Sequence, residues 1–433
     1  MLRDRFRLIL ILVACLAVPA SVSWAQPAPV AEADPADPFF DDTVVHDIKL
    51  TINARDWESL KVNYLDNTVY PCYFLWNGQT VRNVGIRSRG TGSRSGIKPG
   101  LRVDFDYYST DQKFLGLKSV ILRNNTQDPS NMRERVSMLF FRRMEVKAER
   151  EAHARLFINS DYAGVYTIVE SVDKSFLKKN FGENDGHLYE YKFDIAAAEP
   201  FAFGYPGSQP TLYAPLPFKP QTRENDPQGE VLERLFWTAN QAGNAVWRTA
   251  IEEFLDLKAF LKHVAIENFL ADSDGITGDY GPNNFYLYRF ENRNFFVFVP
   301  WDKSQAFWES PGPDYYIFRN IEDGQPSHRN RLVMRALSET DLREFYLDTL
   351  LACADLALEP AVSPADSEPL GWLEAEIIRE YGQIRTAVYA DPDKLTSNED
   401  FEKSYVDIKA FARLRSGAVR RMVAEDRARR GIR

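Results

Sequence analysis

Cysteine and histidine are scarce in this sequence, with three and five copies among 433 residues. Only Cys72 and Cys353 lie beyond the N-terminal segment, and no Cys-x-x-Cys spacing occurs. A disulfide-dense scaffold and a cysteine-held zinc site are therefore excluded, leaving one bridge or two separate buried thiols. The histidines, at 46, 153, 187, 263 and 328, include no pair at metal-ligand spacing and read as surface or packing residues. No Gly-x-Ser-x-Gly element is present, which with unclustered histidines excludes a Ser-His-Asp hydrolase. A Walker loop is missing as well, because Gly96-Ile97-Lys98 lacks the Gly-Lys-[Ser/Thr] ending. Past the N-terminus no run approaches the roughly 18 apolar residues needed to cross a bilayer. A basic excess is also lacking: the formal charge is −9, which argues against nucleic acid as a partner.

What is there begins with a leader. Arg3, Arg5 and Arg7 precede the apolar run Leu8 to Ala14, and Ser23-Trp24-Ala25 offers a small-residue cleavage site, so residues 1–25 read as a signal peptide. An alternative takes Leu12-Val13-Ala14-Cys15 as a lipoprotein box with Cys15 acylated. Either way the protein is expected to be exported, to the periplasm, the cell surface or the medium. Losing three Arg and one Asp with the leader moves the formal charge from −9 to −11. Residues 26–40, rich in Pro, Ala and Asp, read as a flexible linker.

The remaining 41–433 is long enough for two lobes. From Val44 onward strand patterns dominate. CYFLW and TVRNVGIRSR flank Asn77-Gly78, a hairpin signal because both residues tolerate positive φ. LRVDFDYY and the hairpin LFINSDYAGVYTIVE follow, so an antiparallel sheet is expected over about 41–199. Asp128-Pro129 predicts a helix start, with Asp as cap and Pro in the first turn. Residues 200–227 carry seven prolines and read as an irregular crossing. From 228 to 433 the pattern is mostly helical, Asp256 capping a helix that buries Leu257, Phe260, Leu261, Val264 and Ala265. The fold class is α+β.

The chemistry concentrates in residues 267–307. Phe285 to Phe290 and Phe295 to Val299 are joined by Glu-Asn-Arg-Asn and should pair antiparallel. That hairpin places Asn283 and Asn284 beside Asp302, with Asp272, Asp274 and Asp279 on the preceding loop. Carboxylates and carboxamides without His or Cys make a hard-oxygen set, suited to Mg²⁺, Mn²⁺ or Ca²⁺. Asp and Asn also crowd loops because they make turns, the plainer reading for any single loop acid. Asp302, flanked by apolar residues, needs a partner in a way the loop acids do not. A second element, Ser88 to Lys98, mixes Gly and Ser with Arg89, Arg94 and Lys98, and Arg102 follows it. Such a loop can curl its N–H groups around a triphosphate, or be a basic hairpin loop and no more. Glu134 and Glu170 are candidates to pair with a phosphate-gripping cation.

The runs KPGLRVDF, QKFLGLKSVILRNN, QDPSNMRERV, ARLFINSDYAGVYTIVESVD, GHLYEY, DSDG, NNFYLY and VPWD together resemble the spore-coat protein H (CotH-type) kinase family, from Val44 almost to the C-terminus. The resemblance implies an atypical protein-kinase-like, two-lobed fold and phosphorylation of Ser or Thr on partner proteins in the envelope or outside the cell. ATP and Mg²⁺ or Mn²⁺ would be the cofactors. It implies Asp274 as base or metal-organising acid, Asn284 as metal-binding amide and Asp302 as metal-binding acid, and the hairpin adds Asn283 to the metal-binding amides. Lys98, Arg102 and Glu170 fall on family positions that would serve the nucleotide, and the residue pattern itself adds Arg89 and Glu134. The pattern departs where Lys303-Ser304 replaces the family's Leu-Asp after Asp302, where Ser273 replaces Trp, and where Arg102 stands for Lys. The missing acid keeps open an inactive surface-assembly or adhesion module on the same fold, and the metal set alone keeps open nucleotidyl transfer.

Overall fold

The computed structural model describes residues 34–192, 201–361 and 369–432; the leader, Cys15 and most of the linker lie outside them. In chain order the elements are β1 (His46–Ile52), α1 (Ala54–Val62), β2 (Tyr70–Trp76), β3 (Gln79–Ser88), β4 (Leu101–Asp104), β5 (Ser119–Arg123), α2 (Arg133–Arg143), β6 (Glu151–Ile158), β7 (Asp161–Glu170), α3 (Lys174–Phe181) and β8 (His187–Tyr191). There follow β9 (Phe218–Pro220), α4 (Gly229–Gln241), α5 (Asn244–Glu252), α6 (Leu257–Phe269), β10 (Phe285–Arg289), β11 (Phe296–Pro300), α7 (Arg331–Ala336), α8 (Thr340–Ala357), α9 (Trp372–Tyr389) and α10 (Asn398–Arg429). The class is mixed α+β, as expected.

The N-terminal strands do not form an open sheet. They close into a barrel in the order β1-β2-β3-β4-β5-β7-β6, sealed by a parallel pairing of β1 with β6 that sets His46 against Ala154. Every other neighbour is antiparallel. Asn77 and Gly78 take φ of 44° and 76° in the β2–β3 turn, as their chemistry predicts. Alternation does the rest: in β1, His46, Ile48, Leu50 and Ile52 point inward and the residues between them outward.

The end of the expected linker belongs to this core. Asp37–Phe40 forms a 3₁₀ turn, and the Phe39 ring, fully buried, meets Phe114 edge-on at 5.1 Å and Trp76 at 5.3 Å. Burying such a ring is worth roughly 1.5–3 kcal/mol, enough to override the polar composition around it.

The crossing is less irregular than its prolines suggest. Phe218–Pro220 adds an edge strand to a second, antiparallel sheet ordered β11-β10-β8-β9. A large apolar core then joins α2 to α4–α10, and residues Pro35–Arg433 make one compact unit. Asp256 caps α6 through Lys258 N and Ala259 N, and the expected apolar face is buried. Asp128 does not cap at the expected place: α2 starts at Arg133, and the carboxylate of Asp128 accepts from Ser130 N and Arg133 N at 2.8 Å each. Cys72 and Cys353 are free, buried thiols; desolvation pushes Cys72 up to about 12 and Cys353 upward too. No helix among the described residues is long and apolar enough to cross a membrane.

Candidate functional site

The hairpin of β10 and β11 pairs Phe285 with Pro300, so each strand end carries its next residue into the same place. Trp301 N donates to Asn284 O at 3.1 Å. Asn284 and Asp302 then take left-handed backbone, with φ of 57° and 47°, a conformation that short polar side chains tolerate best. The loop between α6 and β10 brings Asp274 to this corner. Its carboxylate accepts Asn283 Nδ2 at 3.1 Å and Asn284 Nδ2 at 2.8 Å. Both amides therefore spend their N–H groups on Asp274. Burial lifts Asp274 above the ordinary carboxylate range and the charge of Asp302 adds to it, while the amide donors pull the other way.

Asp302 meets a cation absent from the sequence reading. Arg123, the last residue of β5, contacts Asp302 Oδ2 through Nη1 at 2.6 Å and Glu134 Oε2 through Nε at 2.5 Å. Burial opposes ionisation of Asp302, but Arg123 outweighs it and holds the carboxyl below its usual range, helped by Arg89 and by Ser304 Oγ, which donates at 3.0 Å. The guanidinium groups of Arg89 and Arg123 lie 4.9 and 5.3 Å from the Trp301 ring centroid. Arg89 makes no ion pair among the described residues, and its side of the corner is partly exposed. Asp302, with 22 % of its side chain exposed, is the carboxylate a ligand can reach.

Directly beneath, Lys303 is buried between Glu267 Oε1 at 2.5 Å and Asp272 Oδ2 at 3.0 Å. Its ammonium also donates to Asn284 O at 3.1 Å, tying the floor to the corner. Burial works against Glu267, yet Lys303 and His263 hold it down at about 2. Its stabilising contribution is complete above the unfolded value of 4.5 and is lost as pH falls toward about 2. Asp272 runs the other way: burial, with the charges of Glu267 and Asp274, pushes it up to about 7 against Lys303. Its contribution is present below 3.8 and lost as pH rises toward about 7. Glu267→Gln is expected to lower the urea midpoint at neutral pH and to remove the part of the acid decline below about pH 4.5. An acid limb identical to the parent's would contradict this.

The other expected residues scatter. Lys98, 2 % exposed, pairs with Asp391 at 2.6 Å and does not face the corner; Gly164 leaves the room for Asp391, whose carboxylate a Cβ there would strike. Arg102 pairs with Asp104 at 2.6 Å and donates to Ser119 Oγ at 2.9 Å. Glu170 is taken by Arg150 through Nη2 at 2.5 Å and Nε at 3.0 Å. Asp279 turns to Arg319 at 2.8 Å. Glu134 does find a cation, Arg123, and burial raises its carboxyl well above the usual range despite that partner. The signal for Arg123 was present in SVILR, where one charge ends an apolar strand and must be paired.

The CotH kinase protein family model matches residues 86–419. The Inner spore coat protein H of Bacillus subtilis (strain 168) is 24% identical over 361 residues, covering 82% of this chain and 91% of that protein. Among solved structures, the crystal structure of a Helicobacter pylori proinflammatory kinase CtkA aligns over 75% of this chain and 94% of its own, at 9% identity and a TM-score of 0.28.

Proposed function

Because the chain belongs to the CotH kinase protein family, we propose that it is an exported phosphotransferase that moves the γ-phosphoryl group of ATP to Ser or Thr hydroxyls of envelope or extracellular proteins. The observation that carries the reading is the corner itself: Asp302, Asn284 and Asp274 converge beside two arginines on Trp301.

The donor set fits a divalent hard cation. Asn283 and Asn284 face Asp274 through nitrogen, which leaves their amide oxygens for a ligand. Asp302 spends two of about four acceptor positions on Arg123 and Ser304. Asp302 with Asn284 would hold Mg²⁺ or Mn²⁺, which would supply positive charge to offset that of the phosphates. Arg89 and Arg123 supply fixed positive charge for the phosphates. Asp274, whose carboxyl is raised above its ordinary value by burial and the charge of Asp302, would accept the hydroxyl proton as the new O–P bond forms and ADP departs. Lys98, Arg102 and Glu170 are given no nucleotide role here, since each is engaged elsewhere.

A second reading, an inactive assembly module on the same fold, is favoured by Ser304. It donates to Asp302 where the family places an acid, and Lys303 is consumed by the floor. The two are separated by incubating the chain with γ-labelled ATP, Mg²⁺ or Mn²⁺ and a Ser-rich acceptor. Label on the acceptor establishes the kinase; none with either metal, from folded protein, establishes the module. Ser304→Asp is expected to raise Mn²⁺-dependent transfer several-fold, because it returns a carboxylate to the ligand set. A rate no higher than the parent's would mean that position 304 touches no metal.

A further inference from the structure

We infer that Glu134, Glu149 and Glu151 hold a divalent cation of the hard, oxygen-seeking kind, taken up without nucleotide. The inference goes beyond the phosphotransferase reading and does not need it. Glu134 lies in the first turn of α2, Glu151 opens β6, and Glu149 sits two residues earlier, on the same face of the extended chain. Arg150, between them, faces away to Glu170. One carboxylate oxygen from each glutamate lies within 4.8 Å of the other two. Ligands around Ca²⁺, at about 2.3–2.6 Å from the ion, stand up to roughly 5 Å apart, and Mn²⁺ or Mg²⁺ needs a small contraction.

The second observation is what these carboxylates lack. Glu134 is 5% exposed, and Glu149 and Glu151 are wholly buried. None of their six oxygens has a hydrogen-bond partner, although Glu149's own N–H lies close enough to favour its charge. Arg123 reaches Glu134 alone among them, and divides itself between that residue and Asp302. The other cations whose charge reaches the cluster make their contacts elsewhere: Arg142 donates to the Glu149 backbone carbonyl, Arg135 pairs with Asp42, Glu376 and Glu380, and Arg89 lies over Trp301. Three buried carboxylates with a single direct ion pair between them, Arg123 to Glu134, cannot all stay ionised. Neutral carboxyls would each need an acceptor for an O–H, and none is in place. A divalent cation satisfies all three at once. It also leaves Arg123 to Asp302, so the occupied site would steady the corner from behind.

The test uses the purified full chain, stripped with EDTA and dialysed, with Mn²⁺ alone and no nucleotide. Free Mn²⁺ is read by its electron paramagnetic resonance signal, and melting is followed with and without Mn²⁺. Because the corner would take its ion only together with ATP, one bound Mn²⁺ per chain is expected without nucleotide, in the parent and in Asp302→Asn alike, with a melting temperature several degrees higher than in EDTA. Glu149→Gln and Glu151→Gln, which remove buried charge without changing shape, should fold in EDTA and bind Mn²⁺ about tenfold more weakly or worse. Competition by Ca²⁺ and Mg²⁺ then ranks the ions. A parent melting temperature indifferent to Mn²⁺ would overturn the site whatever the variants do. So would uptake lost in Asp302→Asn but kept in both glutamine variants. Failure of γ-phosphoryl transfer leaves this result untouched, because no step of it uses ATP.

Discussion

Asp302→Asn is expected to cut metal-dependent transfer from γ-labelled ATP by about 100-fold or more, the usual size of losing one preorganised charge that acts on the reacting phosphates, here through the metal it would hold. The substitution keeps volume and an oxygen for Arg123, so the corner should still assemble. What disappears is the negative charge that Arg123 and Arg89 hold ionised. The fall should therefore appear in the rate, while the melting temperature moves little. An unchanged rate, measured on an equally stable variant, would remove Asp302 from the chemistry and with it the metal assignment to this hairpin.

Lys303→Met is expected to be the more damaging change to the fold, at about 3–5 kcal/mol in urea unfolding. Lys303, Glu267 and Asp272 have side chains 1% exposed, so removing the cation strands two carboxylates without water. Adding Glu267→Gln and Asp272→Asn to that variant should restore much of the loss, since an uncharged trio needs no counterion. A loss below about 1 kcal/mol for Lys303→Met alone would mean that the carboxylates shed their charge freely.

The parts of this architecture that local chemistry dictates were readable in advance. Asn77-Gly78 demanded a turn, and the two aromatic runs around Glu291 to Asn294 demanded a hairpin, which was enough to put Asn284 beside Asp302. Asp256 announced α6 by the same kind of local signal. What could not be read depends on partners far away in sequence. Lys98 looked like part of a phosphate loop because nothing near it hints at Asp391. Glu170 looked available because Arg150 approaches from the neighbouring strand. α1 went unnoticed because its nine residues bury only Leu60. The parallel seam between β1 and β6 leaves no turn signature, so an antiparallel sheet was expected where a closed barrel forms. Nothing local marks Glu149 and Glu151, and only the fold turns both inward.

That seam also sets an order of events. Made from its N-terminus, the chain produces β1 long before Ala154 to Ile158, the residues that cover its second edge. Until then β1 and its hairpin partners present an unprotected ribbon, and the loop that must close is more than a hundred residues long. Barrel closure is thus a late, non-local step, and folding should be slow for the chain's size. A cell that makes this protein must keep the half-finished ribbon from pairing with its copies until β6 arrives.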